Sequence, residues 1–215
     1  MKTILLKDAA ALIPDGASVM IGGFMGVGTP ERLVDELVRQ GKRNLTVIAN
    51  DNAIPGIGIG KLISAGAVKR TIASHIGLNP ETQKKMLAGE LEVDLVPQGT
   101  LIERIRAGGF GLGGVLTPTG VGTVVEKGKQ RIEVEGKAYL LETALRADFA
   151  LVQAFLADYI GNLYYALTAR NFNPVIAMAA DTVIVEADNI VPVGVIAPDN
   201  VVTPAPVVDY IISHA

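Results

Sequence analysis

The stretch Asp15 to Pro30, DGASVMIGGFMGVGTP, constrains the fold of this chain more than any other. Val19, Met20 and Ile21 form a short apolar run with a β-branched residue at either end, the pattern of a buried strand. Gly22, Gly23, Gly26 and Gly28 follow within seven residues, so the backbone there can turn sharply and approach a ligand closely. Thr29 suits an N-cap and Pro30 the first helical position, where no N–H is needed. The helix then runs on as ERLVDELVRQ, with Leu33, Val34, Leu37 and Val38 on one face. A strand, a glycine turn and a helix start aim free N–H groups and a positive helix end at one point, and an anion is expected there. The plainer alternative is that the glycines only let the helix sit tightly on the sheet.

A dinucleotide fingerprint would require G-x-G-x-x-G, but Gly26 and Gly28 are followed by Glu31. Asp51, past the second strand, is positioned in sequence to serve as the ribose-binding acid of that fold. A dinucleotide-binding oxidoreductase is therefore one alternative. A P-loop is excluded, because Gly60-Lys61 is followed by Leu62 where a hydroxyl is required.

The rest of the chain alternates strand-like and helical runs. Leu45–Ala49, Thr71–Ser74 and Val93–Val96 read as the second to fourth strands, with helices over Ile59–Ala65, Glu81–Leu87 and Leu101–Arg106. Such alternation calls for an α/β fold: an open, mostly parallel sheet with right-handed crossovers and helices on both faces. The stretch Gly108 to Gly122 holds seven glycines and reads as a loop. Gln130–Glu135 and Ala138–Glu142 read as a β-hairpin insertion turning at Gly136-Lys137. Phe149–Phe155, Thr182–Val185 and a short Leu163–Tyr165 complete the strands. No linker divides residues 1–215, so one domain is expected, of a length that buries a large core.

Composition narrows the function. A net charge of −3 gives no support to a nucleic-acid partner. The absence of cysteine excludes disulfides, thiolate metal sites and a cysteine nucleophile, and makes the cytoplasm the expected compartment. The N-terminal MKTILLKDAAALI is broken by Lys7 and Asp8, too short an apolar core for a signal peptide. No run approaches the roughly 18 apolar residues of a membrane span, so no membrane partner is expected.

In a parallel sheet ligands gather at the carboxyl ends of the strands, and here those ends are polar: Gly22–Gly28, then Asn50, Asp51 and Asn52, then His75, then Gln98. His75 is well placed, although a lone histidine at a strand end is ordinarily a structural hydrogen-bonder. His214 sits beside the C-terminus, where order is poor. No His/Asp/Glu cluster has metal-ligand spacing and no G-x-S-x-G elbow occurs. The chain offers donors and a binding loop without a convincing nucleophile.

The segment Asp15-Gly16, Val19-Met20-Ile21, Gly22-Gly23-Phe24, Gly28 and Pro30 resembles the α-subunit signature of the 3-oxoacid (family I) coenzyme A transferases. Asn50-Asp51-Asn52, Val96-Pro97-Gln98-Gly99-Thr100, Arg106-Ala107-Gly108-Gly109 and Ala169-Arg170-Asn171-Phe172-Asn173 are similar to the same family, which extends the resemblance nearly end to end. Within it, the chain looks most like the α subunits of bacterial acetate/acetoacetate (short-chain fatty acid) enzymes. The 3-oxoadipate and succinyl-CoA:3-oxoacid transferases share these motifs and are the same-class alternative. A non-catalytic acyl-CoA or sugar-phosphate binding module is a further one.

The resemblance implies a ping-pong exchange of CoA between an acyl-CoA and a free carboxylate, through an acyl anhydride and a glutamyl-CoA thioester. It places the reactive glutamate on a β subunit, in an assembly expected to be α2β2, with a CoA thioester as substrate and no permanently bound cofactor or metal. It assigns Gln98 to the reacting carboxyl, Asn50 and Asn52 to the substrate pocket, and the loop Gly22, Gly23, Phe24, Met25, Gly26, Val27 and Gly28 to CoA. A carboxylate nucleophile generates tetrahedral oxyanions that need pre-placed donors, and the Gln98 amide with the loop N–H groups can supply them.

Overall fold

The computed structural model describes residues 2–213. Its largest feature is a nine-stranded sheet. In chain order, β1 (Lys2–Ile4) and α1 (Leu6–Ala11) lead into β2 (Ser18–Ile21), α2 (Glu31–Arg39), β3 (Leu45–Ile48), α3 (Ile59–Ser64), β4 (Val68–Ala73), α4 (Pro80–Leu87) and β5 (Glu92–Leu95). These three βα steps spread outward from β2 to β5, every pair parallel. After α5 (Gln98–Gly109) and a small excursion, the chain returns to the other side of β2 with β9 (Ala147–Asp158), β11 (Ala180–Val191) and β12 (Tyr210–Ile212), again parallel, and β1 closes that edge. The sequence order reverses between β2 and β9, the position where open α/β sheets bind ligands. The segment after β2, the glycine stretch, issues from that point.

Alternating side chains of the central strands feed two cores. Val19 and Ile21 face α1, α2 and α3, where Ala9, Ala10, Leu33, Val34, Leu37, Leu62 and Ile63 are fully or almost fully buried. Met20 faces the opposite side with Leu101 and Ile105 of α5 and Ile176 of α6 (Asn173–Ile176). Helices thus cover both faces, as the alternation of the sequence requires. Each of these large aliphatic side chains stabilises the fold by roughly 1.5–3 kcal/mol on burial. No helix among the described residues is long and apolar enough to cross a membrane.

The excursion between α5 and β9 is a separate three-stranded antiparallel sheet: β6 (Gly114–Thr117), β7 (Arg131–Val134) and β8 (Lys137–Thr143), ordered β6-β8-β7. The expected hairpin is β7–β8, but it turns one residue earlier, at Glu135-Gly136, both at positive φ as a tight two-residue turn demands. The glycine-rich stretch read as a loop is not wholly one. Gly108 and Gly109 end α5, and Gly114–Thr117 pairs with β8, because partner strands outweigh local glycine preference. Leu163–Tyr164 forms β10, antiparallel to the outer half of β9.

Candidate active site

The carboxyl ends of β2, β3, β4 and β5 bring the glycine stretch, Asn50-Asp51-Asn52, Ser74-His75 and Gln98 to one edge of the sheet. Phe24 N–H donates to the Val27 carbonyl at 3.0 Å and Val27 N–H returns to Phe24 at 2.9 Å, so residues 24–27 form a miniature hairpin. Met25 and Gly26 both have positive φ, 51° and 90°, the signature of a type I′ turn. Phe24, Met25 and Val27 remain exposed on it. Gly22 is required by close packing: a Cβ there would lie 1.8 Å from Asn173 Oδ1. The asparagine it admits donates to the carbonyls of Gly28 and Ala169 and accepts Gln153 N–H, joining the loop to β9. Asn171 accepts Gly23 N–H at 3.2 Å and donates to the Val27 carbonyl at 3.0 Å. Neither asparagine had been given a role from sequence, although both lie in the ARNFN segment that carries the family resemblance.

The helix start is built differently from the sequence expectation. Thr29 is not the cap: its buried hydroxyl donates to the Gly22 carbonyl at 3.0 Å, and Pro30 stands at the cap position with α2 beginning at Glu31. The anion at this N-terminus is the protein's own. Glu186 of β11 accepts Arg32 N–H at 3.2 Å and Leu33 N–H at 2.9 Å. A long-range carboxylate therefore meets these two N–H groups, and no local pattern could have revealed it. Burial pushes the Glu186 carboxyl above its ordinary 4.5, against the pull of the two backbone N–H bonds and Arg32. Its contribution to stability is then fullest below pH 4.5 and declines as pH rises through the raised folded-state value. Glu186→Ala is expected to cost about 1–2 kcal/mol by uncapping α2. Glu186→Gln should flatten that part of the pH dependence. Urea unfolding of the three proteins between pH 4.5 and 7 checks both; an unchanged slope in Glu186→Gln would refute the assignment.

Gln98 is the first residue of α5, after Pro97, and is exposed. Its Nε2 donates to Asn50 Oδ1 at 2.5 Å. Asn50 Nδ2 in turn donates to Asp51 Oδ2 at 2.8 Å, and both Asn50 and Asp51 are buried. Asp51 also accepts Ala53 N–H at 2.7 Å and Met25 N–H at 3.1 Å. It is thus committed to the protein and does not await a ribose, which removes the acid on which the dinucleotide reading rested. Asn52 does not join Asn50: it is 1% exposed, accepts from the Thr71 hydroxyl at 2.9 Å and donates to Thr82 at 3.4 Å. These bonds join Asn52 to β4 and α4. The His75 ring stands 6.2 Å from the Phe24 ring, centroid to centroid, with Nδ1 3.2 Å from the Ser74 hydroxyl. His214 lies outside the described residues. Among the described residues no group of three His, Asp or Glu side chains could hold a metal ion.

A cleft of about 650 Å³ opens beside the hairpin, walled by Phe24, Arg106, Leu167, Arg170, Asn171 and Val175. Gln98 and Asn50 do not line it. Phe24 lines the cleft on one side and has the His75 ring as a neighbour.

Residues 3–214 match the family model described as coenzyme A transferase. The chain is 58% identical to the acetate CoA-transferase subunit alpha of Escherichia coli K12, covering 98% of this chain and 96% of that one. It is 52% identical to the acetoacetyl-CoA:acetate/butyrate CoA transferase alpha subunit of Clostridium acetobutylicum, covering 99% and 98%. Its fold matches an acyl-CoA transferase of E. coli O157:H7, solved as a thioester complex with CoA, with a TM-score of 0.87 at 23% identity over 98% of this chain. This chain spans 46% of that longer one. With a matching family model over almost every residue and close relatives over their full length, the chain belongs to the coenzyme A transferase family.

Proposed function

We propose that this chain is the α subunit of a heteromeric CoA-transferase that moves CoA between acetoacetyl-CoA or another short-chain acyl-CoA and a free acid such as acetate. The observation that carries this reading is the Gln98–Asn50 pair. It offers an exposed amide donor at the strand ends, while Asp51, the carboxylate of the cluster, is buried and fully engaged. Such a half-site stabilises an oxyanion but supplies no attacking group, and the names of the relatives, alpha subunits of transferases, support a partner that does.

The chemistry then runs as follows. A carboxylate of a β-subunit glutamate attacks the thioester carbonyl, and the carbonyl oxygen becomes an oxyanion that the free N–H of Gln98 stabilises. The tetrahedral species expels CoA thiolate and leaves an anhydride. The thiolate attacks the glutamyl carbonyl of that anhydride, releases the first acid and leaves a glutamyl-CoA thioester. The second acid reverses these steps. The hairpin Phe24–Val27 presents apolar side chains to the CoA arm, and Asn50 holds Gln98 in place. The same reading treats the chain as one domain in an α2β2 assembly, with CoA thioester as substrate and no resident cofactor, acting in the cytoplasm where CoA thioesters are made and used.

The test is reconstitution. The chain alone, given acetoacetyl-CoA or butyryl-CoA and acetate, is expected to be inactive, and activity should appear on mixing with its β subunit. Mass spectrometry of the quenched mixture should find CoA on a glutamate of the partner. Turnover by the chain alone, or CoA trapped on one of its own glutamates, would defeat the proposal.

A further inference from the structure

We infer that Asp51 is a positioning residue whose carboxylate sets, through Asn50, which edge of the Gln98 amide faces the reacting carboxyl. The inference rests on the reading of Gln98 as the oxyanion donor. An amide can present either its oxygen or its nitrogen to a neighbour, and the two differ little in shape. A Gln on an exposed helix start would sample both. Here the choice is made by chemistry one residue away. A carboxylate oxygen accepts, so Asn50 must turn its NH2 to Asp51, which it does at 2.8 Å. That leaves Asn50 Oδ1 for Gln98, and Gln98 must answer with nitrogen, at 2.5 Å. Among the described residues the second N–H of Gln98 has no partner and is available to a ligand oxygen. Reversing the chain would put the Gln98 carbonyl oxygen in the same place and repel an oxyanion.

The burial is what gives the relay its authority. Asn50 is 1% exposed and Asp51 4%, so water cannot replace the bond between them, and a mismatch there would leave buried polar atoms unsatisfied. Asp51 also accepts the N–H of Met25 at the hairpin tip, with Oδ1 at 3.2 Å and Oδ2 at 3.1 Å. One carboxylate thus ties the hairpin that carries Phe24 to the residue that carries the donor.

The geometry prescribes the variant. In Asp51→Asn the retained oxygen at the Oδ1 position still serves Ala53 N–H at 2.7 Å and Met25 N–H at 3.2 Å, while the new NH2 at the Oδ2 position confronts the NH2 of Asn50 and gives up the 3.1 Å half of the forked Met25 bond. One bond to each backbone N–H persists and the relay inverts. With the chain assembled with its β subunit, Asp51→Asn is expected to lower kcat roughly 10- to 100-fold, part of the roughly 10²–10³-fold effect of losing an oxyanion donor. KM for the acyl-CoA should stay within about twofold, since the lost interaction belongs to the transition state. In a Gln98→Ala background the same change should alter kcat by less than about twofold, because residues acting through one another are non-additive.

If Asp51→Asn does not assemble, Asn50→Ala, which cuts the relay between the two ends, is carried through the same cycle. Full multiplication of the two effects, or an unaltered kcat in Asp51→Asn, would overturn the relay while leaving Gln98 as donor. An unaltered kcat in Gln98→Ala itself would overturn the reading of Gln98, and the relay with it. Loss of assembly in both relay variants would assign these residues to folding and likewise overturn the inference.

Discussion

Gly23→Ala is expected to lower turnover by about 10² or more, on the scale seen when a misplacement near 1 Å reaches catalytic geometry. The cause is the protein's own packing. Gly23 has φ of 125°, which side-chain-bearing residues rarely adopt, and a Cβ there would stand 2.0 Å from Thr29 Oγ1. That hydroxyl is buried and donates to the Gly22 carbonyl, so it cannot simply swing away. Backbone strain and the lost hydrogen bond together should cost about 2–4 kcal/mol, and the hairpin that follows should shift. Both cores lie behind the strand, so the assembled complex is expected to persist. The alternative, that a side chain at position 23 merely blocks a ligand, is separable. Thr29→Ala removes the clashing oxygen and leaves the Thr29 Cβ at 3.2 Å, a tight but tolerable contact. If packing is the cause, Gly23→Ala/Thr29→Ala should recover part of the activity and stability of Gly23→Ala. No recovery in kcat, with the melting temperature restored, would point to ligand obstruction instead.

This variant also marks what the sequence could and could not convey. The strand, the glycine cluster and the apolar stripe of α2 were legible because each is a local pattern, of period 2 or near 3.6. The parallel sheet followed from their alternation, and the two faces from Met20 lying between Val19 and Ile21. What remained hidden depends on partners far along the chain. β1 and β12 are three residues each and exist because Tyr210–Ile212 lies between Lys2–Ile4 and β11. Too few residues carry a period there, and α1 behind β1 was equally missed. The long β11 was read only as Thr182–Val185, because its continuation through Glu186, Asp188 and Asn189 is polar. At the site, the positions of Gln98 and Asn50 were legible but their bond was not, being made across 48 residues. Glu186 reaches α2 from more than 150 residues away. The N–H groups of Arg32 and Leu33 at the start of α2 are thus met by a carboxylate from within the chain.

Gln98→Ala is expected to lower kcat by about 10²–10³, the usual consequence of deleting one oxyanion donor. The structure gives this prediction its form. Gln98 opens α5 and is exposed, so its removal should leave the core residues of that helix, Leu101 and Ile105, undisturbed and the melting temperature nearly unchanged. The exposed loss is accompanied by one buried consequence: Asn50 Oδ1 loses its partner, with water able to enter where the amide stood. Acyl-CoA binding should be little affected, because a ground-state thioester carbonyl carries far less charge than the oxyanion it becomes. KM is therefore expected to hold while kcat falls. Gln98→Glu is the sharper companion. It keeps the length of the side chain but replaces the donor with an acceptor that opposes both Asn50 Oδ1 and the developing oxyanion, and it should be at least as damaging as alanine. Steady-state kinetics of the reconstituted enzyme with both variants settles the role. If KM rises and kcat is unchanged, Gln98 binds substrate without aiding the chemical step; if Gln98→Glu retains activity, the amide is not donating to the reacting carboxyl.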